Sequence, residues 1–385
     1  QVEELIAQGQ SKETAEKEAP IMKAAQQMLI DWEAGKPDVM ALWKTMNGWV
    51  YEGFEETYRR IGSDFDKIYY ESDTYILGKD LVEAGLKKGV FFKKEDGSVW
   101  IDLTADGLDE KIVQRKDGTA VYITQDIGLI INKYDEYKSD LSIYVVGDEQ
   151  NYHFKVLKLI AQKLELPSAN SLYHLSYGMV ELPSGRMKTR EGNVVDADDI
   201  LDEMISEAER KTKEQGKTEG FTQTELKALY EMIGLGGLKF FLLRVDPKKR
   251  MVFNPEESID LHGFTATFIQ YAHARIKSIL RKEASAEESP AGGDPGLFPL
   301  ERLVILQLDR FPAAIEQARL EMNPSVIASY AFNLAKSFNS LYAEHSIVHA
   351  ESQGKKELRF QLAKLTATVL KNAMELLGVK VPERM

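Results

Sequence analysis

The chain has 385 residues, 43% of them hydrophobic and 29% charged, a composition ordinary for a globular protein with room for two or three domains. Its formal net charge of −12 argues against a general, sequence-independent nucleic-acid binder, although segregated basic residues can still meet one shaped RNA. It has no cysteine, which excludes disulfides and thiolate metal sites, and no run approaches the ~18 apolar residues of a membrane span.

Residues 11–34 have helical spacing, with Ser11 and Thr14 placed to cap, Pro20 to start or kink a helix, and Gly35-Lys36-Pro37 to stop it. A second helix is expected over about 38–61, and its stripe of Trp43, Trp49, Phe54 and Tyr58 reads as core rather than as a base-stacking platform. FDKIYYES (65–72) is strand-like, and a helix near 77–87 ends at Gly89. Two hairpins are expected, VFFKKEDGSVWIDL turning at Asp96-Gly97 and KIVQRKDGTAVYIT at Asp117-Gly118, because a type I′ turn needs positive φ at both central residues. QDIGLIINKYDEY reads as helix, LSIYVVGDE as a strand buried on both faces, NYHFKVLKLIAQKLEL as helix closed by Pro167, and LYHLSYGMVEL as strand. Such alternation implies a parallel sheet with helical crossovers. Asp196 is the expected N-cap of the next helix, with Asp198 and Asp199 near its positive end. From 224 to 281 the pattern is helical apart from VDPKKRMVFNP, and 282–299 is a Gly/Pro-rich linker. Amphipathic runs over 299–321, 324–349 and 355–378 complete a helical bundle.

Ligands of an open parallel sheet bind beyond the carboxyl ends of its strands. VVG (145–147) followed by Asp148, Glu149 and Gln150 is such an end. Asp126 lies one turn past Tyr122, so its carboxylate can stand beside the phenol and suit a cationic substrate group, with Gln150 meeting a polar one. The same spacing also fits a plainer role, Asp126 capping a helix and Tyr122 in the core. SGRMKTREGN (184–193) carries Arg186, Lys188 and Arg190 between Gly185 and Gly192, with His174 upstream. Such a loop can close over phosphates, and can equally be a basic hairpin in solvent. Neither GxxxxGK[ST] nor GxGxxG occurs. The basic runs 243–250, 274–282 and 354–360 read as solvated helix faces. His345 and His349 have metal-like spacing but no third ligand beside them, so packing or surface is assigned and no metal site is expected.

Five segments in order resemble the arginyl-tRNA synthetases, a family of class I aminoacyl-tRNA synthetases. They are DGTAVYITQDIG (117–128), YVVGDEQNYHF (144–154), HLSYGMV (174–180), RMKTREGNVV (186–195) and GFTATFIQYAHARIKSIL (263–280). FNLAKSFNSLY (332–342) and VKVPERM (379–385) are also similar to that family, and FDKIYYES resembles its insertion in the nucleotide-binding fold, while the rest of 1–116 matches less sharply. The resemblance implies that Tyr122, Asp126 and Gln150, with His153 nearby, hold arginine; a guanidinium pairs well with a planar carboxylate. It implies that the backbone of Gly178, Met179 and Val180 meets adenine and that Arg186-Met187-Lys188-Thr189-Arg190 is the signature loop over ATP, with magnesium accompanying ATP. The usual Lys-Met-Ser-Lys-Ser is altered there, Lys188 replacing a small residue, which leaves the role of each cation open. Gln270, Tyr271, Arg275, Asn339 and Tyr342 are expected towards tRNA(Arg), with packing an equal alternative for Tyr342.

The fold class implied is α/β plus all-α: a Rossmann-type parallel-sheet catalytic domain, present in part, followed by a helical-bundle anticodon-binding domain. Residues 1–60 are then a helical insertion, 61–245 the second half of the catalytic domain and 246–385 the anticodon-binding domain. The implied reaction is ATP-dependent activation of L-arginine to arginyl-adenylate, then transfer to tRNA(Arg), by a cytoplasmic monomer without a membrane partner. None of the six histidines fits the early His-Ile-Gly-His motif of class I enzymes, and the chain opens at Gln1. We therefore expect an N-terminally truncated, inactive portion, with an apolar patch on the sheet face its missing part would cover. A non-catalytic tRNA-binding paralogue and another class I synthetase are the alternatives.

Overall fold

The computed structural model describes residues 1–74, 78–116, 118–119, 121–181, 196–216, 219–283 and 296–385, which fall into two units, Gln1–Asp66 and Lys67–Met385. The first unit holds α1 (Val2–Ala7), α2 (Lys12–Glu18), α3 (Pro20–Glu33) and α4 (Pro37–Ile61). The Ser11 hydroxyl caps α2 by accepting from the Thr14 N–H at 3.2 Å. Pro20 and Pro37 open α3 and α4, where a missing N–H costs nothing. Trp32 and Trp43 meet edge to face, 5.8 Å apart, where these helices pack. The rest of the expected aromatic core is not core: Trp49 is 65% and Phe54 53% exposed. The 25-residue α4 outruns the 14-residue α3, so its later turns find no neighbour from that helix.

The second unit begins with α5 (Glu71–Thr74) and α6 (Lys79–Lys87), then β1 (Phe92–Lys93), β2 (Val99–Ile101) and β3 (Lys111–Gln114) in an antiparallel sheet of that order. FDKIYYES forms no strand; Lys67 and Tyr69 instead bond the Glu136 carboxylate. The turn between β1 and β2 has Gly97 at φ 89, as the hairpin requires. The second hairpin is half made. Thr119 O accepts from the Arg115 N–H at 3.0 Å and Gly118 has φ 82, but the expected strand VYIT is the start of α7 (Tyr122–Tyr137). Ile123, Ile127 and Ile130 bury one face of α7 at helical spacing, and that period outweighs the β-branched composition.

β4 (Ser142–Gly147) and β5 (Leu172–Tyr177) pair in parallel from Ser142↔Leu172 to Gly147↔Tyr177, joined by α8 (Asn151–Lys163). Tyr144 and Val146 pack with Ile127, Leu157 and Ile160. Ile143 and Val145 point the other way, 44% and 63% exposed, so β4 is buried on one face and not both. A second parallel pair joins β6 (Val180–Glu181) to β7 (Met251–Val252). Between them run α9 (Ala197–Glu214) and α10 (Gln223–Leu243), the latter opened by a capping box of Thr222 and Glu225.

The helical part comprises α11 (Pro255–Ser258), α12 (Ala266–Glu283), α13 (Pro299–Asp309), α14 (Phe311–Glu321), α15 (Ser325–Glu344) and α16 (Gln353–Leu376). The expected run 299–321 is two helices, because Pro312 has no N–H with which to continue the first one. Phe240 of α10 lies in the same core as Ile269, Leu334, Phe338 and Leu370, so α10 belongs to both the α/β part and the bundle. A buried charge cluster ties α13 to α16: the fully buried Glu301 accepts from Arg359 Nε at 2.8 Å and from Lys355. The chain's last residues are fastened along their length. Gly378, Lys380, Pro382 and Glu383 give their carbonyls to Lys239, Gln270, His273 and Arg281, and Met385 packs beside Met204 and Phe253.

Candidate active site

The site lies at the carboxyl ends of β4 and β5. Tyr122 is the first residue of α7 and is 72% exposed, so it is not core. Val121 occupies the N-cap position, and Asp126 sits a turn inside the helix with its side chain 43% exposed, so it is not a cap. Its Oδ2 accepts from His153 Nε2 at 2.6 Å, across 27 residues of sequence. His153 stands in the first turn of α8, and the exposed Gln150 directly precedes that helix. Edge-to-face contact with Phe154 braces the His153 ring.

Phe154 in turn stacks on His174 at 4.1 Å, and His174 Nε2 donates to the Val146 carbonyl at 3.0 Å. His174 is therefore a strut between β5 and β4. The loop's Arg186, Met187, Lys188, Thr189 and Arg190 lie outside the described residues. Gly178 and Met179 follow β5, and Val180 begins β6. A Cβ on Gly178 would stand 2.5 Å from the Lys249 backbone, so this position accepts only glycine without a shift. Its N–H donates to the Pro247 carbonyl at 2.7 Å.

Two features escaped the sequence reading. Lys133 lies two helical turns beyond Asp126 on α7, its ammonium 4.7 Å from the Tyr144 ring and 5.7 Å from Tyr69. Burial lowers its pKa, and the nearby Asp126 charge pushes back. The i, i+7 spacing from Asp126 was the available signal. Arg250 reaches Asp148 at 3.4 Å, joining the end of β4 to the start of β7, a contact across 102 residues that no local pattern encodes.

On the bundle, the Arg275 guanidinium lies 4.7 Å from the Tyr271 ring and 5.3 Å from Tyr342 and donates to Asn339 Oδ1 at 2.9 Å. Tyr342 is 40% exposed. Gln270 does not join them. It is fully buried and its amide donates to the Met232 and Lys380 carbonyls at 3.2 and 2.8 Å, because the i−1 position on α12 faces α10. His345 packs against the Phe298 ring at 5.1 Å, while His349 is exposed.

Residues 4–254 match the family described as tRNA synthetases class I (R), catalytic domain, and residues 269–385 match the DALR anticodon binding domain. That first span includes residues 4–116, where the resemblance read from the sequence was less sharp. The chain is 54% identical to an arginine–tRNA ligase of Flavobacterium psychrophilum, over 100% of this chain and 64% of the relative. It is 52% identical to that of Amoebophilus asiaticus, over 97% of this chain and 63% of the relative. The chain thus spans somewhat under two thirds of the length of these curated relatives. Its fold is similar to Thermus thermophilus arginyl-tRNA synthetase, with a TM-score of 0.76, 23% identity, 94% of this chain and 69% of the other covered. Taken with the geometry of α7, β4 and α8, these matches show that the chain belongs to the class I arginyl-tRNA synthetase family, with a class I catalytic domain followed by a DALR anticodon-binding domain.

Proposed function

We propose that this chain serves in an arginine–tRNA ligase, which uses ATP to make arginyl-adenylate and pyrophosphate and then loads the terminal ribose of tRNA(Arg). The observation that carries the reading is the Asp126 carboxylate, open to solvent beside Tyr122, with one oxygen held by His153. A carboxylate fixed through one oxygen keeps its plane oriented for the fork of a guanidinium. Gln150 at the end of β4 adds an amide for the polar end of the same substrate. The arginine carboxylate attacks the α-phosphate in line and pyrophosphate leaves, so no protein nucleophile is required and the residues act by positioning and charge.

In this reading Gly178, Met179 and Val180 meet adenine, and Arg186, Lys188 and Arg190 stabilise the phosphate charge. In the same reading magnesium enters with ATP, and no residue of this chain is assigned to hold it. Tyr271, Arg275, Asn339 and Tyr342 form the RNA-facing group, where aromatic rings and a guanidinium can stack splayed bases. The setting is the cytoplasm, with the ligase a monomer.

The test is arginine-dependent ATP–pyrophosphate exchange with tRNA(Arg) present. It should be run on this chain and on this chain joined to the further length its relatives carry. Exchange is expected in the joined protein, and Asp126→Asn should weaken arginine use by about 1–3 kcal/mol, roughly 5- to 150-fold in kcat/KM. Exchange that ignores arginine, or an unchanged kcat/KM in the variant, would refute the assignment. Retained tRNA binding without exchange in either protein would favour a non-catalytic tRNA-binding role.

A further inference from the structure

We infer that Lys248, Lys249 and Arg250 form a second, backbone-anchored phosphate-binding element at the mouth of the site. All three side chains are exposed, in a chain whose net charge is −12. The sequence pattern alone reads this run as a solvated basic face. The structure puts it elsewhere, between the end of α10 and the start of β7.

The turn that carries these residues is held rigidly. Asp246 accepts from the Lys248 N–H through Oδ1 and from the Lys249 N–H through its carbonyl, both at 2.9 Å. The turn is then fastened to the carboxyl end of β5 by Gly178 N–H to Pro247 O at 2.7 Å and Met251 N–H to Met179 O at 3.2 Å. The absent side chain of Gly178 is what permits this approach, since a Cβ would sit 2.5 Å from Lys249 C and O. Arg250 leans on Asp148 at the end of β4, with both guanidinium contacts at 3.4 Å. Among the described residues, neither Lys248 nor Lys249 is paired with a carboxylate.

The backbone that carries two exposed lysines is thus fixed beside the strand ends where open α/β sheets take their ligands. Lysine at such a place acts as a point charge for phosphate oxygens. The ligand chemistry is a chain of phosphates, either the tail of a nucleotide or the backbone of a single-stranded RNA end. The inference shares with the proposed ligase only the location of the site and does not depend on arginine being the substrate.

The experiment compares this chain with its Lys248→Ala/Lys249→Ala variant in two binding titrations, one with inorganic tripolyphosphate and one with a labelled single-stranded decaribonucleotide. Lys12→Ala/Lys17→Ala on α2, two exposed lysines, makes the same change in net charge and serves as the control. Both variants are first checked for an unchanged thermal melt. The expected result is a loss of about tenfold in affinity for one probe in the first variant and not in the control. If RNA is the ligand, the slope of log K against log salt should also fall by roughly 1.4, since each phosphate neutralised on a single strand contributes ~0.7. Loss with tripolyphosphate alone assigns the nucleotide tail, and loss with RNA alone assigns the RNA end. Unchanged affinity for both probes, equal loss in the control, or no binding of either probe by the parent chain would overturn the element. A failed arginine-dependent exchange with the tripolyphosphate or RNA loss intact would reject the ligase reading and leave this site standing.

Discussion

His273 is 1% exposed, and its Nδ1–H donates to the Pro382 carbonyl at 2.9 Å, which leaves Nε2 unprotonated. Burial lowers its pKa below the ordinary 6.5; the bond to Pro382 and the Glu383 charge push back, and Lys277 and Lys371 add to the lowering. The sign of the linkage follows. Below 6.5 the unfolded chain takes up a proton that the folded imidazole refuses, so stability falls as pH drops through 6.5 and levels off below the folded value. His273→Asn keeps a donor near Pro382 but cannot titrate. Urea unfolding of both forms between roughly pH 8 and 5 should show a steeper loss for the parent. Parallel pH profiles would mean that the imidazole titrates alike in both states. Neither this burial nor the Asp126–His153 pair was legible as such. The sequence showed the residue types and the neighbourhood of Asp126 and His153, but their contact joins two helices and rests on how these pack.

Local rules reached furthest at the element scale. Ser11, Pro20 and Asp96-Gly97 act within a few residues of themselves, and each does what its chemistry predicts. The failures all involve a neighbour. Whether VYIT is strand or helix depends on what covers Ile123 and the isoleucines that follow it, and whether Phe54 is core depends on how far α3 reaches. The reading of β4 as buried on both faces assumed a layer beside Ile143 and Val145, and in the described residues that face is open. An apolar strand pattern records the burial a segment can use, and cannot say which layers are present. The difference is measurable on this chain. Val145→Thr should change the unfolding free energy by less than ~0.5 kcal/mol, as an exposed substitution does. Val146→Thr on the covered face should cost about 1 kcal/mol or more. Equal costs would contradict the one-sided burial.

For the whole molecule, charge is handled in two ways. Many ion pairs among the described residues are exposed contacts along one helix, such as Arg210 with Glu214, which contribute little. The Glu301 cluster is different, because Lys355 and Arg359 are themselves buried and Phe298 donates its N–H to Glu301 at 2.8 Å. Burial alone would raise the Glu301 pKa, but the bonds from Lys355, Phe298 and Arg359 more than offset it and hold the carboxylate ionised. Glu301→Gln leaves two buried cations with only the exposed Glu351 opposite them. It should lower the stability of the bundle by about 3–5 kcal/mol in urea unfolding. A cost under ~1 kcal/mol would show that water reaches the cluster.

The fastening of residues 378–385 also orders events in time. Gln270 and His273 reach partners 110 and 109 residues further along the chain. A ribosome makes α10 and α12 long before the segment that clasps them exists. Until it emerges, the His273 N–H has no Pro382 carbonyl to meet, the Gln270 amide has only its Met232 partner, and the groove that Met385 fills is open. Closing so long a loop is slow compared with forming a helix. The junction between the α/β part and the bundle is therefore set only once residues 378–385 have been made, after both sides have had time to fold around their own cores.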